Sequence, residues 1–133
     1  MKISEVSKKV GLTVPTIRYY CDLSMVPSLR RDVDGERIFD GEAVLWLEGI
    51  KFQRELGSSL SEIQTYIQLS QQTGPAALRK RHEMLLNQYE KAQQDVDESS
   101  ERLQRLESKI ELEEKIIKGQ KTDSLSAARR FST

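Results

Sequence analysis

Ile3-Ser-Glu-Val-Ser-Lys-Lys-Val-Gly11-Leu-Thr13-Val-Pro-Thr-Ile17-Arg-Tyr-Tyr-Cys21-Asp22 is the stretch on which the fold of this chain turns. Ser4 is placed to cap a first helix that runs to about Val10, and Gly11-Leu12 breaks it. Thr13 then caps a second helix, with Pro15 tolerated in its first turn, ending near Asp22. Ser7, Gly11 and Ile17 fall at offsets 0, +4 and +10. A small residue lets the second helix cross close to the first, a glycine frees the turn, and an apolar residue locks the crossing. This is the spacing of a helix-turn-helix.

After Pro27 the chain reads Leu29-Arg-Arg-Asp-Val-Asp34-Gly35-Glu-Arg37-Ile-Phe39, two short alternating segments around Asp-Gly, which predicts a hairpin. A helix-turn-helix followed by a basic hairpin is a winged helix. Asp40 is set to cap a third helix carrying Val44, Leu45, Leu47, Ile50 and Leu56 and closed by Gly57. Ser59-Leu-Ser-Glu62 is a capping box opening a fourth helix with Leu60, Ile63, Tyr66 and Ile67 facing inward.

Thr73-Gly74-Pro75 ends that region, and from Ala76 to Lys118 neither glycine nor proline occurs. As one helix this segment would be about 64 Å long. Alternate steps of four and three from Leu78 visit His82, Leu85, Tyr89, Ala92, Val96, Ser99, Leu103, Leu106, Ile110, Glu113 and Ile117. Nine of the twelve positions are apolar, and the residues between them are almost all charged or amide-bearing. That is the seam of a coiled coil, most simply with a second copy of the chain. Leu78, Leu85, Tyr89, Ala92, Val96, Leu103, Leu106, Ile110 and Ile117 are the expected dimerisation residues. The expected organisation is mainly α. A winged helix-turn-helix DNA-binding domain spans residues 1–72, a long coiled-coil dimerisation helix residues 75–118, and a short tail residues 119–133.

Composition fits this outline. The chain has 133 residues, 37% hydrophobic and 32% charged, with 21 acids balancing 21 bases. Residues 1–39 hold seven bases against five acids, too small an excess for charge alone to identify a partner. No apolar run approaches the length of a membrane span or a signal peptide, so a cytoplasmic protein without a membrane partner is expected. A single cysteine, Cys21, and a single histidine, His82, build neither a disulfide nor a soft-metal cage, so no metal and no cofactor are expected. No nucleophile, base and orienting group can be assembled, and no glycine-rich phosphate loop is present, so an enzyme is not expected.

Nucleic-acid contacts have better candidates. With Ile17 in the core, Thr16 and Tyr19 flank it on exposed faces and Arg18 points toward solvent or phosphate, while Tyr20 reads as core. Arg18 and Tyr19 carry the donors a recognition helix needs in the major groove. Arg30, Arg31 and Arg37 are spaced along the hairpin to touch phosphates beside it. Cys21 has two readings: a small buried hydrophobe, or a redox switch whose thiolate is favoured by the nearby arginines.

The run ISEVSKKVGLTVPTIRYYCDLSMVP, with RRDVDGERIFD after it and ELGSSLSEI further on, resembles the amino-terminal domain of MerR-family transcription regulators across about residues 2–118. The resemblance implies that Thr16, Arg18, Tyr19 and Tyr20 engage DNA from the recognition helix, with Thr13 at its cap counted among the candidates. It implies that Arg30, Arg31 and Arg37 do so from the wing and that Arg54 reaches a phosphate. It further implies a homodimer, joined through an antiparallel coiled coil of the long helix, on a promoter palindrome between over-spaced promoter elements, bending and untwisting that DNA for RNA polymerase when an effector, here unidentified, acts. Two other readings stand beside it: an effector-free repressor or architectural protein, and a coiled-coil adaptor for another protein.

Three positions depart from the family pattern: Cys21 stands in place of an acid, Ser24 in place of glycine, and Glu36 in place of an aromatic. If the turn at Ser24 needs positive φ, serine carries strain there that glycine would not. The cysteines of metal-sensing members are missing near the end of the long helix, so metal sensing is not expected. Fifteen residues follow Lys118, so the large carboxy-terminal domain of drug-binding members is not expected. Leu125, Ala127, Ala128 and Phe131 would suit one short helix on the rod, against the alternative of a mobile basic tail.

Overall fold

A computed structural model describes residues 1–123 of the chain. Five helices and one hairpin follow in order: α1 (Ile3–Val10), α2 (Val14–Asp22), β1 (Arg30–Arg31), β2 (Arg37–Ile38), α3 (Gly41–Glu55), α4 (Leu60–Ser70) and α5 (Pro75–Ile117). The chain from Met1 to Gln88 forms one compact unit, and the chain from Tyr89 onward forms a second.

The helix-turn-helix follows the expected spacing. Gly11 takes φ 77° at the end of α1 and donates its N–H to Ser7 O at 3.0 Å. Ser7 Oγ in turn donates to Leu12 O at 2.6 Å, and Ile17 is fully buried at the crossing. The ammonium of Lys51, on α3, reaches Val10 O at 2.9 Å, so a cation sits on the carbonyl end of α1 where the helix dipole favours it. The cap of α1 differs from expectation. Lys2, not Ser4, is the cap residue and it uses no side chain, because the backbone of Met1 is held beside β2 by a 2.9 Å bond from Phe39 N–H to Met1 O.

Thr13, Asp40 and Ser59 cap α2, α3 and α4 from their side chains, the last as a full capping box with Glu62. These caps act within three residues of themselves. Helix α2 ends in a Schellman turn: Met25 N–H reaches Tyr20 O and Ser24 N–H reaches Cys21 O, both at 3.0 Å. Such a turn requires a left-handed residue, and Ser24 takes φ 58°, the one positive-φ position here that is not glycine.

The hairpin pairs Arg30 with Ile38 and Arg31 with Arg37. Asp32 Oδ1 accepts from the N–H groups of Asp34 and Glu36, both at 2.9 Å, and Gly35 takes φ 79°, so the turn is closed by its own first residue.

Val6, Val10, Ile17, Tyr20, Met25, Phe39, Leu47, Ile50, Ile63 and Ile67 make the core of the first unit. Leu45 and Leu56 lie outside it, both largely exposed, since α3 buries only the face bearing Ala43, Val44, Leu47 and Ile50. Tyr66 and Leu60 are partly buried beside the inward Ile63 and Ile67. Helix α5 enters this unit at its start, where Ala77 is buried and Gln88 hydrogen-bonds to the buried hydroxyl of Ser58.

Beyond that, all nine apolar seam positions from Leu78 to Ile117 are exposed in the single chain. A turn at Gly119 (φ 74°) ends the helix, with Gln120 N–H on Lys115 O at 2.8 Å. The short tail helix expected around Leu125 to Phe131 lies outside the described residues. Among the described residues no helix is long and apolar enough to cross a membrane.

Candidate nucleic-acid interface

Helix α2 is fixed by one face and open on the other. Ile17 and Tyr20, three residues apart, are buried in the core, while Arg18 and Tyr19 between them are exposed. The Tyr20 ring therefore sits where the residue-level reading put it, in the core, with its centroid 6.2 Å from that of Tyr19. Thr13 is exposed, but its hydroxyl is engaged within the helix start: it accepts from Thr16 N–H at 3.3 Å and donates to Thr16 Oγ1 at 2.8 Å. Thr16 itself is half-buried.

The wing stands beside this helix. Lys2, Arg18, Arg31, Glu36 and Arg37 line a common groove of about 610 Å³, so the recognition helix, the hairpin and the start of α1 turn their cations toward one space. Arg18 and Arg31 are the exposed arginines among these and suit a phosphate. Arg30 and Arg31 are exposed on β1, and Arg31 also donates to Gly35 O at 2.6 Å.

Arg37 does not stand free as the spacing of the three wing arginines suggests. Its side chain is mostly buried, its guanidinium is paired with Asp22 in the last turn of α2, and its Nε is buried without a partner. Arg37 and Ile38 of β2 are half-buried, whereas Arg30 and Arg31 of β1 are exposed. Arg54, though exposed, donates to Ser58 O at 3.1 Å and so closes the turn between α3 and α4.

Two residues that sequence reasoning missed hold the wing in place. Asp22 is one. Lys2 is the other, with its ammonium 2.7 Å from Asp32 and 2.8 Å from Glu36. These two hydrogen bonds, Asp32 first, push the Lys2 ammonium up from its ordinary value. The bond from Lys2, followed by the backbone N–H of Glu36, holds the Asp32 carboxyl down. Both partners are distant in sequence, and only their charge signs were visible there.

Cys21 is half-buried at the end of α2. Burial pushes its thiol up from the ordinary value, and the opposing influence of Arg37 and Arg31 does not overcome it. The arginines favour the thiolate as the sequence suggests, but burial outweighs them.

Comparison with known proteins agrees with this geometry. The chain is 38% identical over 69 residues to the HTH-type transcriptional regulator AdhR of Bacillus subtilis, covering 52% of this chain and 49% of that protein. It is 39% identical over 62 residues to the mercuric resistance operon regulatory protein of Bacillus cereus, covering 47% of each. The chain thus spans about half the length of the curated relatives it matches.

Among solved structures it is similar to a MerR family transcriptional regulator from Listeria monocytogenes, with a TM-score of 0.72 and 30% identity over 90% of this chain and 91% of that one. It shares the fold of HiNmlR, a MerR family regulator lacking the sensor domain and solved bound to promoter DNA, with a TM-score of 0.66 and 23% identity over 87% of each chain. The family described as MerR HTH family regulatory protein matches residues 1–70, from the start of the helix-turn-helix through α4, and the chain belongs to that family of transcriptional regulators.

Proposed function

We propose that two copies of this chain pair antiparallel along α5 and read a palindromic promoter site with their paired winged helices. The observation that carries this reading is the division of α2: Ile17 and Tyr20 anchor it in the core while Arg18 and Tyr19 stand exposed beside the cationic groove of the wing. Arg18 supplies guanidinium donors for a base edge or a phosphate, and Tyr19 a hydroxyl and an apolar ring. Arg30 and Arg31 reach the adjoining backbone. The seam of α5 holds two such readers at one separation, which matches half-sites on successive turns of the duplex. Two readers fixed on one rod also fix the DNA shape they accept, and distorting a short site costs on the order of 1–6 kcal/mol. A signal that shifts one reader against the other thus becomes a change in promoter geometry, felt by RNA polymerase without direct contact.

The test is selection of duplexes from a random-sequence library followed by a gel shift. The expected result is a twofold-symmetric consensus whose retention falls steeply as salt rises. Arg18→Ala and Tyr19→Ala should abolish that selective retention and leave the sedimentation of the protein unchanged. Retention without sequence preference, or an Arg18→Ala protein that holds the same duplex equally well, would overturn the reading.

A further inference from the structure

The wing of this chain carries three acids, Asp32, Asp34 and Glu36, between its arginines. Glu36 is the one acid lining the groove shared by Arg18, Arg31 and Arg37. A bare carboxylate in that position acts against DNA twice: it repels an approaching phosphate, and it competes with phosphate for the same guanidinium groups. Glu36 is not bare. Lys2 Nζ lies 2.8 Å from Glu36 Oε2 and 2.7 Å from Asp32 Oδ2, so one ammonium serves both carboxylates. The other oxygen of Asp32 closes the hairpin turn through the N–H groups of Asp34 and Glu36. Lys2 therefore grips the turn at its structural centre, and the backbone pairing of Met1 with Phe39 brings it there.

We propose that Lys2 is a positioning residue for DNA binding: it holds Glu36 and Asp32, offsets part of their negative charge and clips the wing to the start of α1, which leaves Arg18 and Arg31 to the phosphates. The inference rests on the DNA reading above and goes beyond it by assigning a role to a residue outside the recognition helix and the wing.

The test compares wild type, Lys2→Met, Glu36→Gln and the double variant on the duplex that the wild-type protein selects, by fluorescence anisotropy at fixed salt, with thermal melts as the folding control. Lys2→Met keeps the aliphatic stem and is expected to weaken binding about tenfold. Glu36→Gln alone is expected to bind as tightly as wild type or tighter. The double variant should recover to within about threefold of wild type, because the competing charge is gone. A Lys2→Met protein that binds like wild type would overturn the proposal. So would a double variant that melts normally but stays as weak as Lys2→Met, since Lys2 would then act by its own contact with DNA. Failure of the wild-type protein to select any duplex would overturn the DNA reading itself, a result distinct from either of these.

Discussion

The guanidinium of Arg37, on the second strand of the wing, donates to the carboxylate of Asp22 in the last turn of α2. The pair ties the hairpin to the recognition helix across fifteen residues of chain. Arg37 is the buried member, with its side chain 18% exposed against 63% for Asp22. Removing the acid leaves a largely desolvated cation without its counter-charge, whereas Asp22 would return readily to water. Asp22→Ala is therefore expected to destabilise the protein by about 1 kcal/mol, the low end for a broken pair because one partner is well solvated. Urea unfolding measures this, and an unchanged midpoint would show that the wing is held by its backbone alone.

Ser24→Gly should stabilise. The left-handed backbone at φ 58° is imposed by the Schellman turn that ends α2, and glycine adopts it without steric cost. A gain of about 0.5–1 kcal/mol is expected, less whatever entropy glycine adds to the unfolded chain. Ser24→Val should move the melting temperature the other way, because a β-branched residue is poorly suited to positive φ.

The Asp32 carboxyl is held below its ordinary value of 3.8, so the hairpin clip contributes stability above that value and loses it as pH falls through the lower value of the folded state. Asp32→Asn should accordingly melt below wild type at neutral pH, with the difference narrowing under acid once pH passes below 3.8. A gap that stays constant down to the acid transition would show that the charge of Asp32 is immaterial.

Cys21 gives a chemical prediction with a definite sign. Burial raises its pKa above the ordinary 9.0, so the thiolate fraction at neutral pH is lower than that of a free thiol. Alkylation by iodoacetamide at neutral pH should run slower than for a small thiol in the same buffer and accelerate only above about pH 9. Faster alkylation than the free thiol would restore the case for a switch.

Val96 lies at the midpoint of α5, Pro75–Ile117, and in the proposed antiparallel pair, with the twofold axis crossing that midpoint, it meets its own counterpart. Val96→Asp would set two carboxylates face to face in the seam. Sedimentation should then report a monomer at micromolar concentration, with a loss of helical signal, since an isolated helix is poorly supported without packing. A variant that remains dimeric would place the contact elsewhere on the chain.

Much of this fold was legible in the sequence because its determinants are local. Thr13, Asp40 and Ser59 each cap a helix through groups within three residues, and the crossing of α1 with α2 needs only Ser7, Gly11 and Ile17. The strain at Ser24 was also visible, through the turn it occupies. What escaped the sequence depends on the folded chain. Lys2 replaces Ser4 as the cap of α1 because Phe39 holds Met1, and Arg37 is drawn from the solvent into a pair with Asp22. Leu45 and Leu56 look like core in a run of apolar residues, yet α3 presents another face to the interior. At Cys21 both influences were legible in the sequence, the burial and the neighbouring arginines, and only the folded chain shows that burial outweighs the arginines.

The bare apolar strip along α5 makes abundance itself a variable. In the proposed pairing, where a second copy covers the strip, a scarce chain stays mostly single, and mass action makes the paired form rise with roughly the square of expression. Occupancy of a twofold operator would follow that steeper curve, so a small change in synthesis or proteolysis would move the regulated gene disproportionately.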